Sequence, residues 1–231
     1  MTFLNNLVYF GTFMLVITCI IPTPGQSQTL QTDDPMLRKC EKDWWCNAVA
    51  QPPSPWPQPY SGKTVQIVES PRLLVEIPTD LKRIVHSDYI LFATFKDNSQ
   101  LIFEVSSDGL FQQLFAPLMK DVHLTMLDIA VIMFTKTAKD NEPEITSDLL
   151  LWRFAINMKS HFLSEKAVVF TSKKGPVTCF YWHVPEKENI GDSTAILVND
   201  NNPYSFLKIV GQSMSFDQFK KIIGTIRDHN K

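Results

Sequence analysis

Two clusters of turn-forming residues limit this fold most strongly. Ser172-Lys173-Lys174-Gly175-Pro176 separates residues 167–171 from 177–184, and Asn199-Asp200-Asn201-Asn202-Pro203 separates 194–198 from 204–210. The flanks are rich in β-branched and aromatic residues and the connections in residues that turns select, so both units read as hairpins. A chain with two such hairpins builds antiparallel sheet over its C-terminal part.

Upstream, residues 72–77, 89–95 and 101–105 read as further strands, the last two joined by Lys96-Asp97-Asn98-Ser99. Between the strand groups the period changes. Over residues 117–134, Leu118, Val122, Met126, Ile129 and Met133 recur at three- and four-residue spacing with no Gly or internal Pro, which predicts a largely buried helix. A second helix is predicted over 147–159, where Leu149, Trp152 and Ile156 share a face. Asp148 in its first turn and Lys159 in its last complement the helix dipole. The clearest local signature comes last. Ser215 and Gln218 have the spacing of a capping box, in which each side chain serves the other residue's backbone amide, and Phe216, Phe219, Ile223 and Ile226 follow on one face. Three strands, two helices, four strands and one helix make an α+β protein, with helices covering an antiparallel sheet.

Residues 7–21 are almost wholly apolar and end at Pro22, Pro24 and the small-residue stretch Gly25-Gln26-Ser27. This is the layout of a signal peptide over residues 1–27, and a run of about 15 residues falls short of the ~20 that a membrane-spanning helix needs. The first basic residue is Arg38, so positive charge before the apolar run comes from the amino terminus alone. Val16-Ile17-Thr18-Cys19 approximates a lipid-attachment pattern, and membrane association is expected only if Cys19 is lipidated.

Export would place the protein in an extracytoplasmic compartment, periplasmic or secreted, where disulfides persist. Cys40 and Cys46 bracket Glu41-Lys42-Asp43-Trp44-Trp45 and read as a short-loop disulfide, which stabilises by roughly 2 kcal/mol through chain entropy. A zinc site would need further ligands, and neither a His nor a second cysteine pair stands nearby. Cys179 is left as the odd thiol, either buried and structural or paired between chains. The mature chain is therefore expected to carry one free thiol. Because the bridge precedes a proline-rich leader, its loss is expected to change the stability of the main domain little.

That leader reads Gln-Pro-Pro-Ser-Pro-Trp-Pro-Gln-Pro-Tyr over residues 51–60, a proline density that fixes φ, removes amide donors and favours polyproline II. Residues 28–63 are accordingly expected to form the disulfide loop and leader, and 64–231 a single α+β domain. The leader is either a stiff connection that lays Trp56 and Tyr60 on the domain, or a proline-rich recognition site. Trp44, Trp45, Trp56 and Tyr60 are the candidate partner-binding residues.

With 22 basic against 24 acidic residues the net charge is −2, and residues 1–27 contain no charged side chain, so removing them leaves it unchanged. No electrostatic footprint for nucleic acid results. Motifs for chemistry fail on inspection. Gly211-Gln212-Ser213-Met214-Ser215 has the place of a nucleophile elbow but ends in Ser215, and Asp217, Asp228 and His229 lie on or beside the helix that would follow it. Gly62-Lys63-Thr64 ends like a phosphate-binding loop, yet Pro57 stands where that motif needs glycine. Cys179 and His183 share a strand face but are about 13 Å apart along it, beyond proton-transfer reach. His86, His123, His161, His183 and His229 form no metal-ligand pair, and no cofactor is implied.

Arg72-Leu73-Leu74-Val75-Glu76-Ile77-Pro78, the hairpin over 195–210 and the helix over 215–227 together resemble the PsbP and DcrB-like families across roughly residues 65–229. The resemblance implies an α/β/α sandwich and a non-enzymatic accessory protein that assists larger protein complexes; it assigns no residue a role. The expected function is that of an exported accessory or binding protein acting through protein contact. A carrier of a small apolar ligand and a serine hydrolase are the alternatives.

Overall fold

A computed structural model describes residues 38–69, 72–87, 90–106, 125–144, 146–165, 167–187 and 190–229. The expected signal peptide with Cys19, His123, and residues 117–124 of the first predicted helix lie outside them. The elements run β1 (Thr64–Glu69), β2 (Leu73–Pro78), β3 (Leu81–Ser87), β4 (Ile90–Phe95), β5 (Gln100–Ser106), α1 (Met126–Thr135) and α2 (Thr146–Phe162). They continue with β6 (Phe170–Lys174), β7 (Val177–Lys187), β8 (Ile190–Asn199), β9 (Asn202–Ser215), α3 (Phe216–Gly224) and β10 (Arg227–Asp228). A single 3-10 turn, Trp44–Asn47, lies inside the Cys40–Cys46 loop.

The strands form two antiparallel sheets, a small one ordered β1-β2-β10 and a seven-stranded one ordered β3-β4-β5-β9-β8-β7-β6. Both predicted hairpins are present, Phe170 facing Tyr181 across β6–β7 and Leu197 facing Leu207 across β8–β9. The expected α/β/α sandwich is not. Among the described residues strand predominates, with three helices, and the layering differs accordingly. One face of the large sheet is covered by the small sheet together with α3, and the other by α1.

Alternation along the long strands explains the two layers, because successive side chains point to opposite faces. On β7, Val177, Cys179 and Tyr181 enter the core shared with Val75, Ile77, Phe219 and Ile223, whereas Phe180 and Trp182 enter the core beneath α1. There Phe134 of α1 stacks on Phe180 at 4.7 Å and tilts against Trp182 at 5.6 Å. Such aromatic pairs add about 0.5–1.5 kcal/mol each beyond the area they bury.

The helices follow their caps. Ser215 and Gln218 form the expected capping box at the start of α3. Of the helix expected over 117–134, the described part is α1, capped by Thr125, whose extended backbone (φ −114°, ψ 155°) forms a second box with Asp128. The extended Thr125 lets its hydroxyl accept from the Asp128 amide, so α1 begins at Met126.

The leader is laid along the domain. The Gln51 amide donates to the Val169 carbonyl at 2.7 Å and the Ser54 amide to the Thr171 carbonyl at 2.9 Å, which runs the chain beside β6, the last strand of the large sheet. Its far end rests on α3. A Cβ on Gly224 would stand 2.4 Å from the Gln58 carbonyl oxygen, a backbone contact that only glycine permits.

The disulfide is also built in. Cys40 and Cys46 are bonded, with Cα atoms 5.7 Å apart, and both are buried against Trp152 and Ile156 of α2. The Asn157 side chain donates to the Arg38 carbonyl, and the Ala138 amide to the Cys46 carbonyl. The loop is therefore a packed part of the body, and its loss is now expected to cost stability, contrary to the expectation from sequence. Cys179 is fully buried and free. Thiol counting on the denatured, unreduced mature chain should give one free thiol, and three would exclude the bridge. A Cys40→Ser, Cys46→Ser double variant should lose about 2–4 kcal/mol in denaturant unfolding, and an unchanged midpoint would show that the loop does not pack as described.

Candidate functional site

The four aromatic residues picked out by the sequence do not share a surface. Trp44 and Trp45 meet edge to face at 5.9 Å, but Trp44 packs into the core beneath α1 and Trp45 into the cluster around the disulfide. Trp56 packs on the opposite side of the large sheet, with Lys174 Nζ 5.7 Å above its ring. Tyr60 is more exposed than the three tryptophans and leans across Gly62. Packing accounts for most of what these side chains do.

A shallow cavity of about 250 Å³ opens between the leader and α3. Pro55 and Pro57 form one wall, Phe170, Tyr181 and Phe216 another, with Ser54 and Lys220 at the margin. Phe170 stacks on Tyr181 at 5.5 Å. The polar groups there are already paired: Ser54 Oγ lies 3.0 Å from Ser172 Oγ and 3.2 Å from the Tyr181 hydroxyl, and Lys220 holds Asp217 at 2.7 Å. That lysine keeps the Asp217 carboxyl below the usual range. What remains open to a ligand is chiefly aromatic.

The nucleophile reading fails on geometry. Residues 211–215 belong to β9 and the cap of α3, and Ser213 takes a left-handed backbone (φ 54°) in a bulge of that strand. The serine that a histidine does meet is Ser193, 2.8 Å from His183 Nδ1. Ser193 is fully buried, however, and His183 Nε2 has no hydrogen-bond partner among the described residues. The imidazole stacks on Phe216 at 5.1 Å, and burial pushes its pKa down. A substrate cannot reach so buried a hydroxyl, and among the described residues no acid orients the ring. Burial pushes the Cys179 thiol up, which leaves it unreactive. Among the described residues no three His, Cys, Asp or Glu side chains converge as a metal site, and no helix is long and apolar enough to cross a membrane.

The two outer strands of the large sheet differ. The leader lies against β6, but among the described residues nothing pairs with the outer side of β3. Along β3, Lys82, Arg83, Ile84, His86 and Ser87 are exposed, and Ile84 retains 46% of its surface. An exposed edge presents unpaired backbone donors and acceptors, ready to pair with another chain. Sequence reasoning missed this strand because its charges break the alternation of apolar residues.

No family model, no curated protein and no solved structure matches this chain. None of them supports or refutes the resemblance to the PsbP and DcrB-like families, and the α/β/α sandwich it implies is not the fold observed.

One buried cation remains to be explained. Lys159, near the end of α2, has no solvent exposure; its Nζ donates to the Ala48 carbonyl at 2.6 Å and to the Lys136 carbonyl, tying the helix to the leader and to the end of α1. Burial pushes its pKa down to about 8, and the Asp140 carboxylate opposes the shift. Between that value and the ordinary lysine value, the unfolded chain holds a proton that the folded chain has released, so stability rises with pH. Denaturant unfolding should show a gain of about 1 kcal/mol between pH 7.5 and 9. The Lys159→Met variant should lack that gain, and equal gains in both proteins would refute the assignment.

Proposed function

We propose that this protein is an exported, non-enzymatic accessory or binding protein that works by contact with another protein. The observation that carries the reading is the outer edge of β3, unpaired among the described residues and with Lys82, Arg83, Ile84, His86 and Ser87 exposed. Monomeric proteins blunt such edges or cover them, as the leader covers β6, so an uncovered edge bearing an apolar residue suits strand addition by a partner. The bonded Cys40 and Cys46 and the apolar run over residues 7–21 support an extracytoplasmic setting. Paired affinity captures from the native extracytoplasmic fraction test the reading. Wild-type protein should retain a defined partner that the Ile84→Asp variant loses while keeping its denaturant midpoint. An identical set of retained proteins would sink it.

The aromatic cavity favours a second reading, a carrier of a small apolar ligand. At about 250 Å³ it lies just below the roughly 300–1,000 Å³ of most ligand sites, which restricts it to something the size of one aromatic ring system. Calorimetric titration with indole should give saturable binding to wild type and none to Phe216→Ala; no saturable heat with either protein excludes this use.

A further inference from the structure

The chemistry of the β3 edge restricts what can pair with it. Register with β4 settles which side chains share a face: Ile84 opposes Ala93, and His86 opposes Leu91, on the side of the sheet facing β2. Arg83 opposes Thr94, and Val85 opposes Phe92, on the other side. Phe92 is itself 36% exposed, so an added strand would find an apolar contact on both faces, Ile84 on one and Val85 with Phe92 on the other. The charges within β3, Lys82 and Arg83, are of one sign, and Asp88 follows the strand in sequence. Arg83 has no acidic partner among the described residues, Lys82 Nζ reaches the neutral Asn98 amide oxygen at 3.0 Å, and Asp80 precedes the strand.

We propose that the outer edge of β3 accepts an extended segment of a partner protein in which apolar residues alternate with acidic ones. This rests on the protein-contact reading above and adds the partner's chemistry to it. Backbone pairing along seven residues, roughly 23 Å, supplies a contact that is indifferent to sequence, so selection falls to the side chains. Alternation then sets its apolar residues on the Ile84 face and its carboxylates on the Arg83 face. A second copy suits the edge less well, because antiparallel pairing about a two-fold axis through Ile84 would set Arg83 opposite Val85 and Lys82 opposite His86 and bring no carboxylate to either cation.

The test uses the mature protein and two synthetic nonapeptides, one alternating valine with glutamate and one alternating valine with lysine. Hydrogen exchange of the amides over residues 81–87 and fluorescence anisotropy of the labelled peptides are read together. The glutamate peptide should slow exchange along β3 at least tenfold and bind at least tenfold tighter than the lysine peptide. In Arg83→Glu, whose exposed site leaves the fold intact, that preference should shrink to parity or reverse. Unchanged exchange along β3, or equal binding of the two peptides to wild type, overturns the proposal. So does protection that grows with protein concentration in the absence of peptide, which would identify a second copy as the occupant. If native capture depends on Ile84 while the peptides show no acidic preference, the partner chemistry fails and the protein-contact reading stands.

Discussion

The central strands of the large sheet are apolar on both faces, and the rest of the molecule is arranged to keep both out of water. On β8, Ala195 and Leu197 point one way and Ile196 and Val198 the other, and all four are buried. Each face needs its own cover. A sheet of three short strands with α3 covers one, and α1, backed by α2 and the disulfide loop, covers the other. Neither cover has a substantial core of its own, so both depend on the large sheet for burial.

Polar groups hold those covers in place where apolar contact alone would not fix their position. Thr225, just after α3, donates its hydroxyl to the Glu76 carbonyl at 2.8 Å and accepts from the Glu76 amide at 3.1 Å, locking the helix end to β2. Lys159 does the equivalent work on the other face with two carbonyls from separate segments. A buried group of this kind is costly unless its hydrogen bonds are made, so it penalises any arrangement in which the leader or α1 is displaced.

Much of this was legible in the sequence, and the errors have identifiable causes. Turn chemistry at residues 172–176 and 199–203 located both hairpins because Gly, Asn and Pro act locally. The capping box at Ser215 was equally local. β3 escaped notice because Leu81-Lys82-Arg83-Ile84-Val85-His86-Ser87 lies at an edge, where neither face imposes a strict alternation. The α/β/α layering failed for a different reason: nothing local in Thr64–Glu69 or Leu73–Pro78 shows that those strands leave the main sheet to form a second one. At the candidate site, the tryptophans were conspicuous by type, but their burial depends on partners such as Trp152 and Phe134 far along the chain. That β3 is an outer strand was invisible without knowing the order of strands in the sheet.

The seat of the leader also constrains the order in which the molecule can be completed. Ser54 bonds to Thr171, 117 residues later in the chain, and the glycine beneath Gln58 belongs to the last helix. During synthesis from the N-terminus, residues 51–60 emerge long before anything exists for them to lie on. Contacts of such sequence separation form late and slow the approach to the native state. Until then the leader's own composition is its protection, since a stretch of alternating prolines has few amide donors with which to join a wrong sheet.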